Sequence, residues 1–435
     1  MNYPMLLIIR NLRLMILKNL YIGSLSLFAS LGLSAQHPVE NKNLVLLGTS
    51  QINITPEQPV IMSGYDSRKT PSVGIHDSLF ATALFFSGER EKALLISADM
   101  IGFPHALVDS LKMDINIKTR LPADRIMIIA THNHGGPAIH TYETILPEAN
   151  EEYIRTLKEK LESLAMAAMN SPKPFLMGIG KATCTMNINR RAVFADGGVW
   201  LGRNPDGVCD HELDLIKFTD PDNKVIAVLL NWPCHGTVSG QENYLITGDW
   251  PASAVRYIKK SMGKNIVVVV TAGASANINP IYGPGKDFDE VEAVGYHVAL
   301  EASKALGQIK TAPVRSISFT NAVFDYAGKK GWKDRFPETS IESGTMVNIR
   351  LTALKLDKLV FCGISGELMT EMGMQVKKSS PFPNTIMITH CNGLSGYICT
   401  DKAFSEGGYE PKVSHLMPGV EKPLVQKCLG LIQAL

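Results

Sequence analysis

Two histidines spaced as H-x-H stand in residues 131–137 (THNHGGP), directly after the apolar run 125–130. Side chains two positions apart lie on the same side of an extended segment, so His132 and His134 are predicted to face one site. Neutral imidazole is a good zinc ligand, and a catalytic zinc keeps one coordination position open for water. The pair therefore predicts a metal site, with a hydrogen-bonded core histidine as the alternative interpretation of each residue.

Four other apolar runs also end in residues that can do chemistry. These are His235 after 225–231, Ser275 to Asn279 after 266–270, Glu367 after 359–364, and His390 to Tyr397 after 385–389. In α/β folds the groups just past the carboxyl ends of strands face a common crevice, so these segments are expected to converge. His235 and Glu367 would then add a nitrogen and an oxygen to the H-x-H pair. Glycine and proline flank the histidines and mark loops, which favours the metal site over the packed-core interpretation.

The elements that must position these residues are strands alternating with helical segments. Residues 82–99 and 211–231 are predicted to form hairpins, while 148–169, 251–262 and 287–306 have helical patterns. Hairpins exclude a purely parallel sheet. The sequence predicts an α/β fold of layered mixed β-sheets flanked by helices, in one catalytic domain over residues 36–435. Residues 329–345 follow neither period and are predicted to be a surface loop or lid.

Composition limits the possible partners. The chain has 435 residues, of which 45% are hydrophobic and 19% charged, which is typical of a globular protein with a large core. A net charge of +2 lacks the basic excess that nucleic-acid binding requires, so no nucleic-acid partner is expected. Seven cysteines without a C-x-x-C pair indicate neither a disulfide framework nor a zinc ribbon.

The amino-terminal segment has the layout of a secretory signal. Arg10, Arg13 and Lys18 precede the apolar stretch 21–33, and Ser34-Ala35 offers small residues at a cleavage point. The apolar stretch is shorter than the roughly 20 residues that span a bilayer. The sequence therefore predicts a signal peptide over residues 1–35, export to the periplasm or the cell exterior, and no stable transmembrane segment after cleavage.

Several of these segments resemble motifs of the neutral ceramidases, in the same order along the chain. Residues 131–137 resemble T-H-T-H-S-G-P, and the other matches are His235-Gly236-Thr237, Gly366-Glu367, Ser395-Gly396-Tyr397, Met62-Ser63-Gly64-Tyr65 and Ser97-Ala98-Asp99. The resemblance spans roughly residues 48 to 410. It implies a neutral-ceramidase-like catalytic domain in which His132, His235, Glu367 and Tyr397 bind Zn²⁺, with His134 beside the metal.

Two features depart from the family pattern. The neutral ceramidases carry a serine in G-N/D-x-S-P-N, and Asn279 takes its place here. An amide cannot act as a nucleophile, although it can donate a hydrogen bond to a carbonyl oxygen or a developing oxyanion. Family members also continue into an immunoglobulin-like domain, which this sequence is expected to lack.

The sequence thus predicts a zinc-dependent hydrolase that cleaves an amide or ester bond in a small-molecule or lipid-like N-acyl or O-acyl substrate. Zinc-activated water would attack the carbonyl, His134 would pass the proton to the leaving group, and Asn279 would hold the substrate oxygen. Asp99 and Asp249 could orient a histidine through its second nitrogen, although Asp249 is better explained as a helix cap or surface charge.

Two other functions fit the sequence. A serine hydrolase could use Ser275 in G-A-S-A-N, which almost matches the nucleophile-elbow motif. Alternatively, the chain could be a non-catalytic binding protein that kept the metal and lost the catalytic activity when Asn279 replaced the family serine. The sequence predicts neither the oligomeric state nor whether the substrate is a ceramide.

Overall fold

The computed structural model describes residues 44–140, 146–330 and 343–435. The predicted signal peptide and most of the predicted loop at 329–345 lie outside these ranges. The strands are β1 (Leu46–Asn53), β2 (Gly74–Ile75), β3 (Phe80–Ser87), β4 (Lys92–Ala98), β5 (Ile126–Ala130), β6 (Lys173–Pro174), β7 (Leu176–Thr183), β8 (Asn187–Val193), β9 (Val199–Asn204), β10 (Glu212–Thr219), β11 (Val225–Trp232), β12 (Leu245–Ile246), β13 (Val267–Ala272), β14 (Ile278–Pro280), β15 (Ala312–Pro313), β16 (Ile317–Lys329), β17 (Ser343–Leu356), β18 (Leu359–Ile364), β19 (Glu367–Leu368), β20 (Asn384–Ile388) and β21 (Tyr397–Ile398).

The helices match the sequence prediction where one was made. They are α1 (His105–Thr119), α2 (Glu148–Asn170), α3 (Asp249–Met262), α4 (Phe288–Gln308), α5 (Thr370–Ser379), α6 (Asp401–Glu406), α7 (Tyr409–Val413) and α8 (Glu421–Gln433). Helix α4 begins after Asp287, whose side chain accepts a hydrogen bond from the Asp289 backbone N–H, as an N-cap should. Within the described ranges, no helix is both long enough and apolar enough to cross a membrane. Residues Asn43–Leu435 form one compact unit.

Three sheets carry the strands that lead to the predicted site. Sheet A has the order β5-β4-β3-β1-β6, sheet B the order β13-β11-β10-β7-β15, and sheet C the order β16-β17-β18-β20. Each is mixed: β4/β5, β11/β13 and β18/β20 are parallel, and the other pairs are antiparallel. Parallel neighbours need a crossover connection, and helices α1, α3 and α5 supply it in the three sheets. The predicted mixed α/β fold is confirmed.

One shared core lies between the three sheets. Phe86 of sheet A, Phe218 of sheet B and Phe361 of sheet C are fully buried in the same cluster of apolar side chains. The Phe86 and Phe218 rings lie 6.1 Å apart. Burying a side chain of this size contributes about 1.5–3 kcal/mol each, so the core holds the sheets in fixed relative positions. Residues just past the ends of their strands are thereby held in fixed positions as well.

Candidate metal centre and active site

The H-x-H pair faces one site, as predicted, but the backbone is not extended there. His132 has a left-handed backbone with φ of +61°, a conformation that non-glycine residues rarely adopt. The Nε2 atoms of His132 and His134 lie 3.3 Å apart, and both side chains are buried. The two rings therefore face each other across a left-handed backbone at His132, and the predicted extended conformation of this segment was wrong.

His235 reaches the same place because its segment pairs with the H-x-H segment. Asn133 and Gly236 form a parallel bridge, in which the His134 N–H donates to the Gly236 carbonyl at 3.1 Å. A Cβ atom at position 236 would lie 3.0 Å from the His132 carbonyl oxygen, which is too close for ordinary packing. Glycine at this position therefore allows the two histidine segments to approach each other.

Glu367 and Tyr397 come from two short strands that pair side by side. They are directly opposite each other in the parallel pair β19/β21. The Glu367 Oε2 atom lies 3.4 Å from His132 Nε2 and 3.3 Å from His235 Nε2. Three of the four predicted ligands thus converge through their donor atoms, and the strand register places the fourth, Tyr397, beside them.

The donor atoms of these three residues fit a cation. His132 Nδ1 lies 2.9 Å from the Ile101 carbonyl, and His235 Nδ1 lies 2.9 Å from the Ile278 carbonyl. A carbonyl only accepts, so each Nδ1 carries the hydrogen and each neutral ring turns the lone pair of Nε2 towards Glu367. Glu367 Oε2 is itself buried, and no group in the described part of the chain forms a hydrogen bond with it.

Three electron-rich atoms facing one another in a buried site need positive charge close by, and Arg190 Nη1, 3.1 Å from His235 Nε2, supplies part of it. Burial, together with the Arg190 charge, lowers the pKa of His235 to about 4, which disfavours a proton on that ring. Two imidazole nitrogens and a carboxylate oxygen, with each histidine oriented by a second hydrogen bond, are a donor set that suits zinc.

His390 belongs to the same cluster and was not predicted as a ligand. Its ring stacks on His132 at a centroid distance of 3.8 Å. Two overlapping groups have donor atoms within 4.8 Å of one another: His132, His134 and His235, and His132, Glu367 and His390. His390 also has a left-handed backbone, with φ of +52°. Its place after β20 was visible in the sequence, but no motif distinguished it from the neighbouring polar residues.

Arg190 is the other site residue that the sequence analysis missed. This buried side chain of β8 places Nη1 3.1 Å from His235 Nε2 and donates through Nη2 to Tyr397 Oη at 3.2 Å. Burial acts to lower the pKa of Arg190, but nearby Tyr397 and Glu410 raise it, so the guanidinium is charged. An arginine inside a strand has no local signature, and only the tertiary structure connects it to the site.

A cavity of about 530 Å³ opens over the candidate metal cluster, which consists of His132, His134, His235, Glu367 and His390. His132, His134, Glu367 and Tyr397 line its inner part, and Met62, Leu146, Leu394 and Val413 are apolar residues of its wall. Gly64 packs on His134, where a Cβ atom would lie 2.6 Å from the ring. The segment at 62–65 is therefore part of the cavity wall, directly against the second histidine.

Comparison with known proteins identifies the family. Residues 45–281 match the sequence profile described as "Neutral/alkaline non-lysosomal ceramidase, N-terminal". The chain belongs to this ceramidase family. By family it is a ceramidase-like hydrolase, and the predicted resemblance is confirmed. No curated protein sequence matches the chain.

Two solved ceramidase structures share the fold. The crystal structure of neutral ceramidase from Pseudomonas aeruginosa superposes with a TM-score of 0.76 at 14% identity, over 91% of this chain and 75% of that chain. A structure described as "Ceramidase complexed with C2" gives a TM-score of 0.74 at 15% identity, over 90% of this chain and 75% of that one. At these identities the similarity demonstrates the ceramidase fold.

Asn279, which replaces the serine of the ceramidase pattern, reaches the site through Arg190. It lies on β14, and its Oδ1 atom accepts a hydrogen bond from Arg190 Nη1 at 3.3 Å. Ser275 is 1% exposed and is followed by the short strand β14, whereas a nucleophile elbow leads into a helix. Among the described residues, no histidine makes a hydrogen bond with the Ser275 hydroxyl. The described residues therefore give Ser275 no histidine partner of the kind that a serine nucleophile uses.

Neither aspartate orients a metal-site histidine. Asp99 Oδ2 accepts from the Phe80 N–H at 2.8 Å, and Asp249 accepts from the backbone of Val238 and Ser239. Asp249 is fully buried at the first residue of α3, so the interpretation as a surface charge was wrong. Backbone carbonyls take the histidine-orienting role that carboxylates were expected to have.

Proposed function

We propose that this chain is a zinc-dependent hydrolase that cleaves an amide or ester bond of an N-acyl or O-acyl compound. The observation that carries the proposal is the convergence of His132 Nε2, His235 Nε2 and the unpartnered Glu367 Oε2 at 3.3–3.4 Å. Together with Tyr397, these residues would hold the metal. When bound, zinc would lower the pKa of its water and polarise the substrate carbonyl.

The surrounding side chains supply the remaining roles. His134, whose Nε2 is 3.3 Å from His132 Nε2, is positioned at the cavity wall to accept a proton and pass it to the leaving group. Arg190 supplies a fixed positive charge beside Tyr397 and Asn279. Asn279 uses its carbonyl oxygen to accept from Arg190, which leaves its amide N–H groups to hold a substrate oxygen.

The cavity supports a substrate with an acyl chain and a polar group at the scissile bond. Apolar residues such as Leu146 and Leu394 line it together with charged Asp66 and Lys69. A volume of about 530 Å³ falls within the usual range for small-molecule sites. We therefore propose a small or lipid-like N-acyl substrate. Export to the periplasm or cell exterior is part of the same proposal and rests on the sequence of residues 1–35.

Metal content tests the proposal directly. Purified protein, prepared without chelator, should contain close to one zinc per chain, and the His132→Ala, His235→Ala double variant should contain none. His297→Ala is the matched control, because His297 is exposed on α4 and should leave the zinc content unchanged. Turnover of a panel of N-acyl amides and acyl esters should be lost in the double variant alone. Wild-type protein that turns over this panel without any transition metal would overturn the zinc proposal.

A non-catalytic binding protein remains the second candidate, and Asn279 is the observation that favours it. The two functions differ in turnover and not in zinc content. If the metal-loaded wild type cleaves none of the panel, the Asn279→Ser variant becomes the informative measurement. Hydrolysis that appears only in the Asn279→Ser variant would identify the natural chain as a binding protein with a disabled ceramidase site.

A further inference from the structure

A second cavity, of about 350 Å³, lies between sheet A and the layer formed by α3 and β13. None of its lining residues lines the cavity over the metal cluster. Its walls include Phe80, Val255, Val268 and Val270, so its middle is apolar. The volume is within the range of small-molecule sites. Binding in this cavity would not depend on the proposed metal chemistry.

The two ends of the cavity differ in charge, and the sheet register sets how far apart they are. Gln51 of β1 is opposite Thr82 of β3, which is opposite Ser97 of β4. All three line the cavity, and adjacent strands are about 4.8 Å apart, so the row from Gln51 to Ser97 is about 10 Å long. Asp99 follows the end of β4, two residues and about 6.8 Å beyond Ser97, so Gln51 and Asp99 are about 12 Å apart and Asp99 is at the inner end.

At the inner end, Asp99 has room for a positively charged partner. One of its oxygens accepts from the Phe80 N–H at 2.8 Å; among the described residues the other accepts only from the Thr131 hydroxyl, at a long distance of 3.5 Å. Burial, with a contribution from the charge of Asp77, raises the pKa of Asp99 to about 7. A buried carboxylate of this kind is stabilised when an ammonium group binds to it.

At the outer end, Lys259 of α3 has room for a negatively charged partner. Its Nζ atom donates to Gln51 Oε1 at 2.6 Å, and it makes no ion pair with any residue in the described part of the chain. Burial lowers its pKa. The neighbouring Arg256 is already paired with Glu292. Lys259 is therefore the cation at this end that is available to a ligand.

We propose that this cavity is a binding site for a short ω-amino carboxylate, whose ammonium group pairs with Asp99 and whose carboxylate pairs with Lys259. The separation of about 12 Å between Gln51 and Asp99, less an ionic hydrogen bond of about 2.8 Å at each end, leaves about 6 Å, which is the length of a chain of about four methylene groups. The valine side chains of α3 and β13 pack against the methylene groups. Opposite charges at the two ends of the cavity fix the direction in which the ligand binds.

Calorimetry with three probes of equal chain length tests the proposal. 5-Aminopentanoate carries both charges, pentylamine only the ammonium, and pentanoate only the carboxylate. At pH 8, where Asp99 is ionised, the full chain should bind one 5-aminopentanoate, with at least ten-fold weaker binding of each single-charge probe. Absence of saturable binding of 5-aminopentanoate, or equally tight binding of either single-charge probe, would overturn the proposal.

Substitutions test which residue binds each charged end of the ligand. Asp99→Asn keeps an oxygen to accept from the Phe80 N–H, and Lys259→Met keeps the length of the side chain; each should weaken 5-aminopentanoate binding at least ten-fold. Lys260→Met is the matched control, since Lys260 is the exposed neighbour on α3 and does not line the cavity. Val255→Trp should fill the cavity and abolish binding. Unchanged affinity in Asp99→Asn and Lys259→Met, with native thermal unfolding, would refute the assignment.

Discussion

Glu410 accepts a hydrogen bond from Arg190 Nε at 2.7 Å, and both side chains are buried. The other oxygen of Glu410 accepts from Arg191 Nη1 at 2.8 Å. The Glu410 carboxylate therefore fixes the Nε side of the Arg190 guanidinium. The Nη groups of Arg190 face His235 and Tyr397. Glu410 positions Arg190 and has no direct contact with the metal cluster among the contacts described.

Replacing Glu410 should affect turnover through Arg190. Glu410→Gln removes the charge that balances two buried guanidinium groups, and breaking a buried ion pair typically costs about 3–5 kcal/mol of stability. We expect a fall in kcat of about 100-fold, with a smaller change in KM, measured on the best substrate of the acyl panel. Glu406→Gln is the control: it removes the partially exposed partner of Arg191 and should leave kcat within about two-fold. Equal effects in the two variants would contradict the positioning role.

Tyr397 offers a test of the fourth predicted ligand. Tyr397→Phe removes only the hydroxyl that accepts from Arg190 Nη2. If this oxygen also binds zinc, the variant should lose more affinity for the metal than the about 10–100-fold that loss of a group merely supporting a ligand typically costs. Competition with a chromogenic chelator measures the affinity. Tyr296→Phe, on the exposed face of α4, should bind zinc as the wild type does. Unchanged zinc affinity in Tyr397→Phe would remove Tyr397 from the ligand set.

Gly236 should be intolerant of even one methyl group. In Gly236→Ala the new Cβ would lie 3.0 Å from both the Asn133 Cα and the His132 carbonyl oxygen, so the two histidine segments would have to separate. Loss of bound zinc and a lower unfolding temperature are expected. Gly307→Ala is the contrasting variant, because its Cβ would meet no atom within 4 Å on α4. It should stabilise the protein by about 0.5–1 kcal/mol, and calorimetric unfolding of both variants measures the difference.

Asp99 should make the stability of the ligand-free protein depend on pH. Its pKa is raised from 3.8 to about 7 by burial, so the folded state binds the proton more tightly than the unfolded state does. The stabilising contribution of the protonated form is complete below pH 4 and is lost as the pH rises through 7. Urea unfolding should therefore show that Asp99→Asn gains stability relative to wild type, by up to a few kcal/mol between pH 5 and pH 8. A constant difference across this range would contradict the raised pKa.

Much of the metal site could be predicted from sequence because the ligands lie just past the ends of strongly apolar strands. His132, His235 and Glu367 each follow such a strand, and glycine marks the adjacent loops. The order of the motifs then indicated the family. The left-handed backbone of His132 could not be predicted, since its conformation is imposed by contacts with the segment around Gly236 and not by local preference.

The residues that the sequence analysis missed share a physical reason. Arg190 lies in a strand and His390 in a loop, and each contacts the site only because another sheet packs against its own. The role of Asp249 was misjudged in a similar way: its position before a helix indicated a cap, but its carboxylate binds the backbone of Val238 and Ser239 in the buried interior. Hydrophobic periodicity locates strands and helices well and gives little information on contacts between them.

The distribution of the ligands over three sheets has a consequence for the order of folding. His132, His235 and Glu367 follow strands of sheets A, B and C respectively, and contacts between segments so distant in sequence form late and slowly. The proposed metal site can therefore form only after the three sheets have docked on their shared core. Zinc would then bind only to a nearly folded chain. It would leave the folding rate unchanged and lower the rate at which the docked sheets separate during unfolding.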